Sequence, residues 1–261
     1  MKATNEQAVA FKSLHVPGKP LWLANVHNEE VARIVAAKPS CQAIATASFS
    51  IALANQTEDA KLSLETQLAA IAPIAAVARE HNKPLTVDLQ DGYGDRLDEA
   101  VAKVIELGAV GINLEDSDQA TSAMIPEAAA EERIRRALAA AKRAGVPDFV
   151  VNARSDVNLR EGDLDAAIRR GKAYLGAGAT AVYILGHRAG PLTRADAEKI
   201  ARELDGRVNL ALRLPRPGQP APELKREDLA ALGVARVSIG PQLFHVPPGQ
   251  VETAVAYVLG D

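Results

Sequence analysis

The chain has a single cysteine, Cys41, which excludes an internal disulfide and any multi-cysteine zinc or iron–sulfur site. Aromatic residues are only 3% of it, and the formal charge of −3 is close to balance. There is no basic run and no interleaving of bases with aromatics, so nucleic acid is not an expected partner. No apolar stretch approaches the roughly 18 to 20 residues that a membrane span needs. The opening MKATNEQAVAFKSLHVPGKP has no uninterrupted apolar segment of the secretory-leader kind. Together these absences lead us to expect a cytoplasmic chain without a membrane partner.

What is present is alternation. Short β-branched runs alternate with longer, Ala-rich, charge-bearing helical patterns about eight times. The strand candidates are PLWLAN near 20, QAIATA near 42, PLTVD near 84, AVGINLE near 109, DFVVNAR near 148, TAVYIL near 180, RVNLAL near 207 and ARVSIG near 235. Helices are predicted to begin near Asn28, Glu58, Arg96, Glu127, Asp163, Thr193, Lys225 and Pro248. Thr193 stands three residues before Asp196, a capping-box spacing, and Asp163 is a helix cap. Gly108, Gly145, Gly176 and Gly233 fall between a helix and the next strand, where a left-handed cap fits.

Eight strand–helix units of roughly 25 to 30 residues close most naturally into an α/β fold of the (β/α)8 TIM-barrel type. A doubly wound open sheet is the alternative, but no G-x-G-x-x-G follows any strand. With no linker or low-complexity segment, residues 1–261 read as a single domain.

Catalytic groups of such barrels sit at the carboxyl ends of the strands. Those ends supply Thr46 and Ser48 after the second strand, and Asp88, Gln90 and Asp91 after the third. The fourth supplies Glu115 and Asp116, the fifth Asn152 and Arg154. Acids gathered around one arginine repel one another unless a cation sits among them, and oxygen-only donors suit Mg²⁺ or Mn²⁺ rather than zinc. An arginine is shaped to hold a carboxylate, phosphate or phosphonate through two parallel hydrogen bonds. Taken singly, Asp91, Asp95 and Asp116 read as caps or rim charges. Asp88 and Glu115, ending neighbouring strands, reinforce each other. His187 and His245 follow the sixth and eighth strands and read first as solvated loop residues, as Cys41 reads as structural. The proline-rich RLPRPGQPAP, with Arg213 and Arg216, reads as an ordered loop, with anion binding as its functional alternative.

The order VDLQDGYG, GINLEDS, FVVNARSDV and GATAVYILG resembles the isocitrate lyase/phosphoenolpyruvate mutase superfamily, over nearly the whole chain as far as RVSIGP. The resemblance implies a barrel that binds Mg²⁺, with Mn²⁺ as a substitute, and a small 2-oxo acid or phosphonate. It would cleave or form a C–C or P–C bond through a pyruvate-enolate-like species. By position, Asp88 and Glu115 match the family's metal-site acids, with Gln90 in support, and Arg154 matches the arginine holding the substrate's anionic end. Thr46, Ala47 and Ser48 fall where the family has a Ser-Gly segment contacting substrate; Tyr93 would line the pocket, and Asn152 is a further substrate-binding candidate. Family precedent also implies a homo-oligomer, dimer or tetramer, with a C-terminal helix of about 247–259 packing on a neighbour.

The departures are informative. Gln90 is neutral where the family often has a second acid, and Glu58 takes the place of the aspartate that follows the second strand in the phosphonomutases. The segment DSDQATSAMIPEAAAEERI lacks the Lys-Lys/Arg-Cys-Gly-His motif of isocitrate and methylisocitrate lyases, which argues against those two activities. Glu58, Tyr93 or a loop histidine are the candidates for general acid or base. A Schiff-base aldolase would need a lysine at an inner strand end, and none is predicted. The remaining competitor is a barrel that binds a small carboxylate or phosphonate without turnover.

Overall fold

The computed structural model describes residues 2–215, 218 and 221–261, so Arg216 of the proline-rich loop lies outside the described residues. The elements in order are α1 (Asn5–Ser13), β1 (Leu21–Leu23), β2 (Asn25–Val26), α2 (Glu29–Ala36), β3 (Ile44–Thr46), α3 (Ser48–Ala54), α4 (Leu64–Glu80), β4 (Leu85–Asp88), α5 (Leu97–Leu107) and β5 (Ala109–Glu115). They continue with α6 (Glu127–Arg143), β6 (Val150–Ser155), α7 (Val157–Glu161), α8 (Leu164–Gly176), β7 (Ala181–Ile184), α9 (Arg194–Glu203), β8 (Val208–Ala211), α10 (Arg226–Ala231), β9 (Arg236–Ser238) and α11 (Val251–Leu259).

Every strand pairing is parallel, in the order β1-β9-β8-β7-β6-β5-β4-β3-β2. β1 and β2 are one strand interrupted at Ala24. Its first half pairs with β9 and its second with β3, which closes the ring as a (β/α)8 barrel of TIM type.

Local chemistry explains most boundaries. Asn28 caps α2 by accepting from Val31 N at 2.9 Å, Asp163 caps α8 by accepting from Ala166 N at 2.8 Å, and Thr193 with Asp196 forms the expected capping box of α9. The helix predicted near Glu58 starts later. A 3₁₀ turn fills Asp59–Lys61, and Ser63 caps α4. The glycine before β7 also shifts. Gly176 is the last residue of α8, and Gly178 takes the left-handed conformation at φ +107°.

Along β5 all seven residues are buried, because helices cover its outer face and the barrel interior its inner one. Alternation sends Val110, Ile112 and Leu114 outward, while Gly111, Asn113 and Glu115 face the interior. The floor is formed by α1, which the sequence reading had not anticipated. Fully buried Phe11 packs against Gly111, where a Cβ would lie 3.0 Å from Phe11 Cε1 and 2.9 Å from Val150 O.

α11 packs on α2 and β1 of its own chain and buries Val251, Val255, Val258 and Leu259. Arg226 fastens its end, donating to the Val258 and Leu259 carbonyls while its guanidinium lies 4.3 Å over the Trp22 ring. Among the described residues, no helix is long and apolar enough to cross a membrane.

Candidate active site

The carboxyl ends of β4, β5 and β6 bring Asp88, Glu115 and Arg154 together. Asp88 is in register with Asn113, and Glu115 with Arg154. After β4 the chain reverses through left-handed residues, with positive φ at Gln90 and then at Gly92, Tyr93 and Gly94 in succession. Gly92 suits the turn because its φ of +76° strains any side chain and a Cβ there would crowd the Leu97 and Leu114 side chains. Asp91 holds the turn, accepting from Tyr93 N at 2.8 Å, which is the capping role its position suggested.

Asp88 is held from three sides. Its Oδ2 accepts from Ser48 N at 3.0 Å and Ser48 Oγ at 3.1 Å, its Oδ1 from Asn113 Nδ2 at 3.3 Å, and its own N–H donates to Thr46 Oγ1 at 3.0 Å. Glu115 accepts from Arg154 Nη1 on one oxygen and from Gln119 Nε2, on the loop after β5, on the other. Burial pushes the Glu115 carboxyl well above the usual carboxylate range. Arg154 opposes this, and the charges of Asp156, Asp88 and Asp59 add to it.

Arg154 also donates from Nε to Asp156 Oδ1 at 2.6 Å and from Nη2 to Asp156 Oδ2 at 3.2 Å. Burial disfavours its charge, but Asp156, Glu115 and Asp88 outweigh that and hold the guanidinium well above its ordinary value. Of the five N–H groups of an arginine, these contacts use three, so two remain for an anionic ligand.

Asp59 is the acid that reaches this cluster after the second strand–helix unit. Gln90 Nε2 donates to its carbonyl oxygen at 2.7 Å and to its Oδ1 at 2.8 Å. Burial raises the Asp59 carboxyl, and the Asp88 charge raises it further. Glu58, singled out from the sequence, is exposed and pairs with Lys61 at 2.8 Å. The 3₁₀ turn at Asp59–Lys61 turns adjacent side chains to different sides, and Asp59 is the one turned inward.

Other candidates are also redefined. Ala47, expected in the substrate-contacting segment, already donates its N–H to Val26 O at 3.3 Å, so that donor is not free for a substrate oxygen. Tyr93 donates its hydroxyl proton to Gln67 Oε1, and Gln67 Nε2 in turn donates to Asp88 O at 2.6 Å. Burial raises the Tyr93 phenol, with Asp59 and Asp88 adding to it, so Tyr93 is protonated at neutral pH. Asn152 lies deeper, its Nδ2 donating to Asn113 Oδ1 at 2.9 Å.

Asp116 faces away from the site, accepting from Tyr174 Oη at 2.6 Å and Arg170 Nη1 at 3.1 Å. No histidine joins the acids among the described residues. His27 and His245 stack edge-on with Phe244, and His187 Nδ1 accepts from Ala189 N at 3.3 Å. Cys41 is buried and directed at Ala43 O.

Sequence reasoning missed Asn113, Asp156, Gln67 and Gln119. Asn113 and Asp156 stand two residues before Glu115 and two after Arg154, so strand periodicity carried the signal. Gln67 and Gln119 come from a helix and a loop, and only the tertiary fold brings them in.

The family model described as phosphoenolpyruvate phosphomutase matches residues 11–259. The chain is 31% identical over 191 residues to the 2-methylisocitrate lyase of Escherichia coli (strain K12), covering 66% of this chain and 62% of that protein. Among solved structures it is similar to a Burkholderia cenocepacia J2315 protein provisionally called a phosphonomutase. That match is 33% identical with a TM-score of 0.80, covering 98% of this chain and 99% of the other. A phosphonopyruvate hydrolase in complex with oxalate and Mg²⁺ is 27% identical with a TM-score of 0.75, covering 95% and 84%. The buried acid–arginine cluster thus stands on a fold shared with known relatives, and the chain belongs to the phosphoenolpyruvate phosphomutase family, within the phosphoenolpyruvate mutase/isocitrate lyase superfamily.

Proposed function

We propose that this chain is a Mg²⁺-dependent enzyme, with Mn²⁺ able to substitute, acting on a small 2-oxo acid such as oxaloacetate or phosphonopyruvate. It would cleave or rearrange a C–C or P–C bond through a pyruvate-enolate-like species. The observation that carries this reading is the convergence of Asp88, Asp59 and Glu115 on Arg154 at the mouth of the barrel.

The donor set is compatible with Mg²⁺. Among the described residues, no three acids or histidines form a ready-made metal cage. Mg²⁺ does not need one, since it usually takes one or two carboxylates and keeps several waters. A carboxylate offers about four lone-pair positions. Asp88 uses three and Glu115 two, so both keep room for a cation or its water. Gln90 supports the set by donating to Asp59. When bound, the metal would supply Lewis-acid stabilisation of negative charge developing on the substrate oxygen.

The chain's own residues do the rest. Arg154 orients the anionic end of the substrate with its two free N–H groups, and Asp156 fixes the guanidinium plane. Ser48 and Asn113 hold the Asp88 carboxylate in one orientation. Tyr93, protonated and with its hydroxyl bonded to Gln67, lines the rim as a neutral polar group. The absent Lys-Lys/Arg-Cys-Gly-His motif supports a reaction other than isocitrate or methylisocitrate cleavage.

The test is calorimetric binding of oxalate, an enolate mimic, with Mg²⁺ or with EDTA, on the wild type and on Glu115→Gln. Binding that needs both the metal and Glu115 is the expected result. Absence of binding under every condition refutes the enolate mechanism and favours a barrel that has lost turnover, a reading to which the neutral Gln90 lends support.

A further inference from the structure

Beneath the mouth lies a second cation that the proposed chemistry does not use. Arg236 opens β9 and is only 1% exposed, in register with Leu21 on one side and Asn209 on the other. Its Nη2 donates to Asn113 Oδ1 at 3.2 Å, while Nε and Nη1 find no partner. No ion pair joins it to an acid among the described residues. Burying a guanidinium without a paired carboxylate is costly, so a fold that keeps one there needs a compensating interaction.

That interaction runs upward through Asn113, which takes two donors and gives one. Its Oδ1 accepts from Arg236 Nη2 at 3.2 Å and Asn152 Nδ2 at 2.9 Å, and its Nδ2 donates to Asp88 Oδ1 at 3.3 Å. With Oδ1 saturated by two donors, the amide cannot turn over without presenting its NH₂ group to a cation. Its Nδ2 is therefore committed to Asp88. The Asp88 charge is also among the influences that favour the ionised guanidinium, against burial, which pulls Arg236 down to about 10.

We propose that Arg236 is a positioning residue of the active site, fixing the Asp88 carboxylate in its metal-binding orientation through the Asn113 amide. The inference rests on the reading of Asp88 as a metal ligand. It predicts a dependence of cation affinity on a residue that touches neither metal nor substrate. Arg236→Lys keeps the charge but loses the planar fork, and Asn113→Ser removes the amide bridge while leaving Arg236 intact.

The experiment titrates Mn²⁺ alone, followed by electron paramagnetic resonance, into the wild type, the two single variants and the double variant. Thermal unfolding of each is recorded in parallel. Each single variant should bind Mn²⁺ about tenfold more weakly, the scale of one lost hydrogen bond to a charged group. The double variant should be no weaker than the worse single, because both substitutions cut one chain of contacts. Wild-type affinity in Arg236→Lys, or additive losses in the double variant, would overturn the relay and leave the metal-site reading intact. Failure of the wild type to bind Mn²⁺ would overturn both. If Arg236→Lys does not fold, Asn113→Ser decides alone, since unaltered affinity there removes the bridge from the account.

Discussion

His15 sits under the barrel beside the same buried cation, and its effect on stability can be worked out with its sign. Its Nδ1 lies 3.0 Å from the Phe11 carbonyl oxygen, so in the neutral ring Nδ1 carries the proton and Nε2 is the acceptor. Nε2 is out of contact with solvent and has no partner. Burial, reinforced by the Arg236 charge, lowers the His15 pKa to about 3, with backbone hydrogen bonds opposing. In the unfolded chain the imidazole titrates near its ordinary 6.5. Between those values the unfolded state binds the proton and the folded state does not. The contribution is therefore fully present above the unfolded pKa and is lost as pH falls. Integrated from pH 7 to pH 5, the linkage costs about 2 kcal/mol. The assay is urea unfolding at both pH values for the wild type and His15→Gln, which keeps a donor for Phe11 O and cannot titrate. The wild type should lose about 2 kcal/mol more than the variant over this interval. Equal losses in the two proteins would mean that His15 is solvated or already charged in the fold, and the placement of its ring would be wrong.

Two further predictions concern the mouth. Glu58→Gln should leave oxalate and Mg²⁺ affinity unchanged, because Glu58 faces solvent and Lys61, whereas Asp59→Asn should weaken both by calorimetry; the reverse ranking would restore Glu58 to the site. Gln90→Asp should strengthen Mg²⁺ binding by adding a carboxylate beside Asp59 and lower the melting temperature without metal, by like-charge repulsion between buried acids. A variant more stable than wild type in EDTA would contradict that account.

Much of the site was legible because two periodicities coincide. A strand residue points inward every second position, and a barrel strand ends at the mouth, so Asp88, Glu115 and Arg154 could be placed together from spacing alone. The same alternation, followed further down the strands, would also have exposed Asn113 and Arg236. Glu58 and Asp59 could not be separated, because adjacent residues in an irregular turn carry no period, and one 3₁₀ turn decides which carboxylate points inward. Gln67 and Gln119 were invisible for a related reason. Their partners lie in other segments of the barrel or on the far side of a loop turn, where side-chain direction is set by packing.

The sequence by itself determined the order of the eight repeating strand–helix units, several of their caps and the side of the barrel that carries the chemistry, while α1, α3 and α7 emerged only in the fold. The order, the caps and the side follow from local propensity and short-range pattern. Only the tertiary structure decided the closure of the split first strand onto β3 and β9, the seating of Phe11 as the floor and the return of α11 onto its own barrel. It also decided which buried charges compensate one another. Each of these depends on contacts between residues far apart in the chain, whose energies exist only once the ring has closed.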